Sequence, residues 1–129
     1  MRSVILATSR TYPLTPSDAE LGGELAKRGA RVSSAPWDTI SPRASNGDVV
    51  VLRSTWDYHR RPAEFRRWIE AWDREPRTLW NPPVTVLWNM DKIYLRELAD
   101  LGVRIPATRW FEFGQPPEVE SFFAENDER

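Results

Sequence analysis

The spacing of apolar side chains changes along this chain, and each change predicts an element. From Ser3 to Thr8 the run Val4-Ile5-Leu6-Ala7 is continuous rather than alternating, as in a central parallel strand buried on both faces. The polar loop Ser9-Arg10-Thr11-Tyr12-Pro13 follows. Thr15 then offers an N-cap, Pro16 a first helical position and Asp18 a first-turn acid, so a helix should start there. Ala19, Leu21, Leu25 and Ala26 give it a modest apolar stripe. Gly22 and Gly23 weaken it but permit close packing on a sheet, and Lys27, Arg28 and Gly29 suit its end. Ala30 to Pro36 is a weaker strand, followed by Trp37-Asp38 and a loop rich in Ser, Pro and Asn.

Asp48-Val49-Val50-Val51-Leu52-Arg53 is the strongest strand, and Pro62 to Glu75 the strongest helix. In that helix Phe65, Trp68, Ile69 and Trp72 fall at i, i+3, i+4 and i+7, one apolar face suited to a core. Thr78 to Asn81 reads as a short strand ended by Pro82-Pro83, and Val84 to Trp88 as a further extended segment. A helix is expected from an Asn89 N-cap through Tyr94, Leu95, Leu98 and Leu101 to a stop at Gly102. Val103 to Phe113 looks extended, and Pro116 to Ala124 looks helical. Alternation of strand and helix predicts an α/β fold with a Rossmann-like, mostly parallel sheet. The sheet-forming part spans residues 1–88; residues 89–129 read as the start of a second lobe with no sheet of its own to join.

Composition narrows the chemistry. At 129 residues the chain has room for little more than one ordinary domain, and 40% hydrophobic with 29% charged residues fits a globular protein. A formal net charge of -1 gives no global field for nucleic acid. With no cysteine and a single histidine, His59, thiolate or histidine-rich metal sites and a cysteine nucleophile are excluded. No apolar run approaches the roughly 20 residues that span a bilayer, and a cytoplasmic location is the default expectation. Arg60, Arg61, Arg66 and Arg67 flank Glu64 and Glu70 and read as a solvated, paired helix face.

Ligands of open parallel sheets bind beyond the carboxyl ends of the strands. Two polar clusters fall there: Ser9-Arg10-Thr11-Tyr12 and Arg53-Ser54-Thr55-Trp56-Asp57-Tyr58-His59. Arg53 can hold a carboxylate or phosphate bidentately, Asp57 can hold an amine, and Trp56 and Tyr58 can wall a pocket. The alternative is an internal ion pair of Arg53 with Asp57, with Trp56 packed beneath. Dinucleotide, P-loop and nucleophile-elbow signatures are absent, and Ser9, Ser54 and Thr55 have no partner that would make them nucleophiles. Lys92 is one of only two lysines, with Lys27. After an Asn89 cap it would be the third helical residue, where a cation costs a few tenths to about 1 kcal/mol against the macrodipole. Arg96 repels it on the same face. A bound anion such as a phosphate would explain a lysine placed there; a solvated lysine beside Asp91 is the alternative.

The order Val49 to Tyr58, an aromatic helix, Asn81-Pro82, and then Trp88-Asn89-Met90-Asp91-Lys92-Ile93-Tyr94-Leu95 resembles the N-terminal part of ATP-grasp proteins. The branch is that of glutathione-synthetase-like and ribosomal-S6-modification-like ligases and the cycloserine-pathway cyclo-ligase. The resemblance implies a Rossmann-like pre-ATP-grasp domain followed by the first elements of an ATP-grasp lobe. It also implies ATP and Mg²⁺ as cofactors, an acyl-phosphate intermediate, and an amino-acid or peptide-like substrate. Lys92 matches the family's first ATP-binding lysine. Arg53, Asp57, Tyr58 and Thr55 match the segment lining the substrate side, with Ser9, Arg10 and Asp18 in the other N-terminal segment. The family's second phosphate lysine, adenine-binding segment and Mg²⁺ ligands lie downstream, so the chain alone is expected to be catalytically silent, with no catalytic or metal-binding residue of its own, and to depend on a C-terminal ATP-grasp domain. The rival expectations are a non-enzymatic ligand- or protein-binding module, or a homodimer that covers Phe111, Phe113, Phe122 and Phe123.

Overall fold

In the computed structural model the described residues are 3–42, 48–73, 79–111, 114–115, 120–121 and 124. Three parallel strands, β1 (Ser3–Thr8), β2 (Arg31–Pro36) and β3 (Val49–Ser54), form a sheet in the order β2-β1-β3. Helix α1 (Pro16–Lys27) links β1 to β2, and α2 (Pro62–Trp72) follows β3. Thr15 caps α1 by accepting from the Asp18 amide. Gly29 closes it at φ 85°, where the Gly29 amide donates to the Ala26 carbonyl and the Ala30 amide to that of Leu25. The strand, helix and mostly parallel α/β expectations for residues 3–73 therefore hold, with α2 ending at Trp72.

Alternation along the strands separates two faces. On one, Ala7 and Val50 are buried with Phe65, Ile69 and Trp72 of α2 and with Trp37, Ile40 and Leu79; Ile5, Ala35 and Leu52 pack against them. Each fully buried side chain of that size contributes about 1.5–3 kcal/mol. On the other face α1 lies over Leu6 and Val32. A Cβ on Gly22 would make ordinary contact with both, at 3.7 and 3.5 Å, whereas one on Gly23 would meet nothing within 4 Å. Of the two glycines, only Gly22 faces the sheet at close range.

The segment after α2 departs from expectation. Of the short strand expected from Thr78 to Asn81, Thr78 lies outside the described residues; among the rest, Leu79 makes a single parallel bridge to Val50. Val84 to Trp88, expected to be extended, belong to a helix, α3 (Pro83–Asn89). Pro83 occupies its first turn, where a proline loses no intrahelical bond and its fixed φ suits the helix. That nucleation outweighs the β-branched Val84, Thr85 and Val86. Asn89 is consequently the last residue of α3 and not the N-cap of the next helix, α4 (Tyr94–Asp100), which starts after Ile93 with no side-chain cap. α4 ends at Leu101 with Gly102 at φ 79°. The residues from Val103 to Phe111 carry no regular structure, and much of the expected helix over 116–124 lies outside the described residues. The chain divides into two compact units, Met1–Asp91 and Lys92–Arg129.

Candidate functional site

The chain leaves β1 toward one edge, to β2, and returns past it to β3 on the other side. The strand order therefore reverses between β1 and β3, and in open parallel sheets such a switch point is where a ligand crevice lies, beyond the carboxyl ends of the strands. The buried polar and charged residues among those described are Thr8, Ser9, Asp18, Ser54, Thr55 and Asp57, and all belong to this end of the sheet. Burying polar groups is costly unless they are bonded, so their concentration at one end marks a built site.

Asp18 is its centre. In the third helical position, an acid commonly reaches back to the N-cap amide. Here its carboxylate turns to β3: Arg53 Nε donates to Oδ1 at 2.6 Å, Nη2 forms an ion pair with the same oxygen at 2.6 Å, and Ser54 Oγ donates to Oδ2 at 2.8 Å. Consecutive strand residues normally face opposite ways. Both reach one carboxylate because the β1–β3 register shifts between Ala7 and Thr8, pairing Leu52 and Ser54 with consecutive β1 residues and leaving Arg53 without a register partner. Burial pushes the Asp18 carboxyl up, but the hydrogen bonds of Ser54, Arg53 and Thr15 and the Arg53 charge outweigh it and hold it below the usual carboxylate range. Beside this trio Ser9 Oγ accepts from the Tyr12 amide at 2.9 Å, and the Tyr12 and Trp56 rings lie 5.8 Å apart. Trp56 is 51% exposed, so it does not pack beneath the loop as one expectation had it.

The Arg53–Asp57 ion pair considered from the sequence does not form, since Arg53 is drawn to Asp18. Asp57 accepts instead from Trp37 Nε1 at 2.9 Å and lies 3.8 Å from Arg61. Tyr58 packs against Phe65 with ring centroids 5.3 Å apart, and Thr55 is buried between strand and turn. Arg61 is not part of a merely solvated face. It donates to Asp38 at 2.9 Å and to Glu64 at 2.6 Å, and its guanidinium lies 4.8 Å from the centre of the Trp37 ring. Glu64 and Asp38 hold that guanidinium more firmly protonated than usual. Arg10 also donates to Asp38 at 3.0 Å. Burial raises the Asp38 carboxyl, and the bonds and charges of Arg61 and Arg10 more than offset this, leaving it below its ordinary value. Sequence reasoning missed Ser54 as a ligand of Asp18 and missed the Trp37–Asp38–Arg61 network. Trp37-Asp38 at the carboxyl end of β2 was the available signal.

In the second unit Lys92 lies in the turn before α4 and is exposed. Its carbonyl accepts from the Leu95 amide at 3.0 Å, and its Nζ is 5.6 Å from the Tyr94 ring centre. The expectation that Lys92 sits in the first turn of a helix capped by Asn89 is therefore corrected, and with it the macrodipole argument for a phosphate there. Arg96 stacks over Trp110 at 4.5 Å. Among the described residues no cluster of acidic or histidine side chains could hold a metal ion. A cavity of about 360 Å³ opens at the amino ends of the strands, lined by Val4, Leu25, Arg28, Gly29, Ala30, Val49, Val51 and Trp80. It lies away from every buried polar residue and offers little to fix a polar ligand, so the crevice at the opposite end is the better candidate.

Comparison with known proteins bears on the family and the fold. The family described as D-cycloserine synthetase DcsG, N-terminal domain, matches residues 4–81. The cycloserine biosynthesis protein DcsG of Streptomyces lavendulae is 35% identical over 72 residues, covering 56% of this chain and 24% of that protein. The crystal structure of D-cycloserine synthetase DcsG superposes with a TM-score of 0.70 at 27% identity, covering 98% of this chain and 43% of the other. The chain thus spans less than half the length of the relatives it matches.

Proposed function

This chain belongs to the family of the DcsG N-terminal domain, and on that footing we propose that it is the substrate-side part of an ATP-dependent carboxylate–amine ligase. The supporting observation is the gathering of Thr8, Ser9, Asp18, Ser54, Thr55 and Asp57 at the switch point between β1 and β3, where a small polar substrate would sit. In this reading Arg53, Ser9 and Thr55 face an amino-acid-like substrate. Asp57 and Tyr58 support that wall from the aromatic cluster behind it. The similarity to a D-cycloserine synthetase favours a small amino-acid derivative over a long peptide.

ATP would be held mainly outside these residues. Lys92 is assigned to an ATP phosphate on the resemblance of its segment to the ATP-grasp pattern. The described residues do not fit Mg²⁺, for want of an acidic cluster, and no step is derived through it. No helix among them is long and apolar enough to cross a membrane.

The test is ADP release from Mg·ATP with a panel of amino acids, D-serine included. A protein carrying this chain at its relatives' length should release ADP in an amino-acid-dependent way, and the 129 residues alone should not. Lys92→Ala in the longer protein should raise KM for ATP at least about tenfold, the worth of one charge-assisted contact. An unchanged KM, or turnover by this chain alone, would contradict the proposal.

A further inference from the structure

We propose that Arg53 recognises a carboxylate on the substrate and that Asp18 is the positioning residue that aims it. The inference rests on the crevice being the substrate side. It goes further in naming the chemical group bound and the residue that prepares its receptor.

Arginine carries five N–H donors in a rigid plane. On Arg53, Nε donates to Asp18 Oδ1 and Nη2 lies 2.6 Å from the same oxygen. The Nη1 donors, on the far side of the guanidinium, have no hydrogen-bond acceptor among the described residues. The anchor and the cation differ in exposure: the Asp18 side chain is 5% exposed and that of Arg53 40%. One edge of the guanidinium is thus fastened to a buried carboxylate, and the other is left for a planar fork of two oxygens. The register shift after Ala7 makes this possible by letting Ser54 take the second Asp18 oxygen. Asp18 is thereby fixed from two sides and cannot swing with Arg53.

Charge selects the ligand. Arg53 and Asp18 sum to zero, so a single added negative charge is easier to balance there than the double charge of a phosphate. An amide offers Arg53 one acceptor and a donor that it cannot use, because arginine accepts nothing. The site should therefore separate an amino acid from its amide.

The test compares D-serine with D-serinamide as calorimetric titrants of the 129-residue chain at neutral pH. D-Serine should bind at least about tenfold tighter. Arg53→Gln should erase that preference. Asp18→Asn should remove most of it, and Asp18→Glu should retain it. General loosening of the fold weakens both ligands alike and leaves their ratio unchanged, so the ratio reports aim and not integrity. If Asp18→Asn fails to fold, Arg53→Lys serves instead, since it keeps the charge, loses the fork and should lower the preference severalfold. Binding of D-serine without preference over D-serinamide, or a preference that survives Arg53→Gln, overturns this inference and leaves the substrate-side reading standing. Displacement of D-serine by an equal concentration of inorganic phosphate also overturns it, by marking a phosphate site. Absence of D-serine binding overturns both.

Discussion

At Arg53 a guanidinium is fastened to one buried carboxylate by a hydrogen bond and an ion pair. At Arg61 the guanidinium is enclosed by Asp38, Asp57 and Glu64 and by the face of Trp37. Both clusters lie at the carboxyl end of the same sheet and read alike in the sequence, as arginine near aspartate. The difference is in what each joins. Around Arg61 the bonds join the 3-10 turn at Trp37–Thr39 to the turn at Trp56–Arg60 and the start of α2, although Asp38 Oδ1 stays buried with no partner among the described residues. Around Arg53 they join only α1 to the end of β3. The first network ties two turns and a helix start together; the second holds one cation at the end of the sheet where a ligand can reach it.

The largest effect is expected at the Arg61 network. Trp37→Ala removes a buried indole that stacks edge-on to Phe65, donates to Asp57 and supports Arg61. It should cost about 3–5 kcal/mol in urea unfolding. Arg53→Gln leaves Asp18 with Ser54 and Thr15, but the pair is open to solvent on the arginine side, so about 1–2 kcal/mol is expected in the same assay. A larger loss at Arg53 than at Trp37 would reverse the assignment of framework and site.

Acid sharpens the comparison next. Asp18 and Asp38 both titrate below the usual carboxylate range in the folded chain. A depressed carboxylate contributes stability that is present above its unfolded value, about pH 4, and is lost as pH falls through the lower folded value. The urea midpoint should therefore drop between about pH 5 and pH 3, and Asp18→Asn or Asp38→Asn should each flatten that drop. A midpoint independent of pH over this window would mean that neither acid is held as described. The smallest effect belongs to Arg10→Ala. Its bond to Asp38 is largely exposed on the arginine side, and less than about 1 kcal/mol should be lost.

Much of this fold was legible as pattern. The continuous apolar runs of β1 and β3, the Thr15-Pro16 start of α1 and the aromatic face of α2 are local signals, and local signals survive folding. The errors came where local signals competed. Pro82-Pro83 could end a strand or begin a helix, and reading them as an end displaced Asn89 from the close of α3 to the opening of α4. Lys92 moved with it, out of a first turn. The candidate site was legible as a place, because the carboxyl ends of β1 and β3 follow from strand order. Its wiring was not, because Asp18 and Arg53 stand 35 positions apart and meet only through a register shift that no local residue announces.

If the substrate lies at the switch point between β1 and β3, adding D-serine to the 129-residue chain should move backbone amide chemical shifts there. Saturable shifts are expected at Ser9 to Tyr12, Asp18 and Arg53 to Trp56. Shifts gathered instead around Val49, Val51 and Trp80 at the amino ends of the strands would contradict that placement.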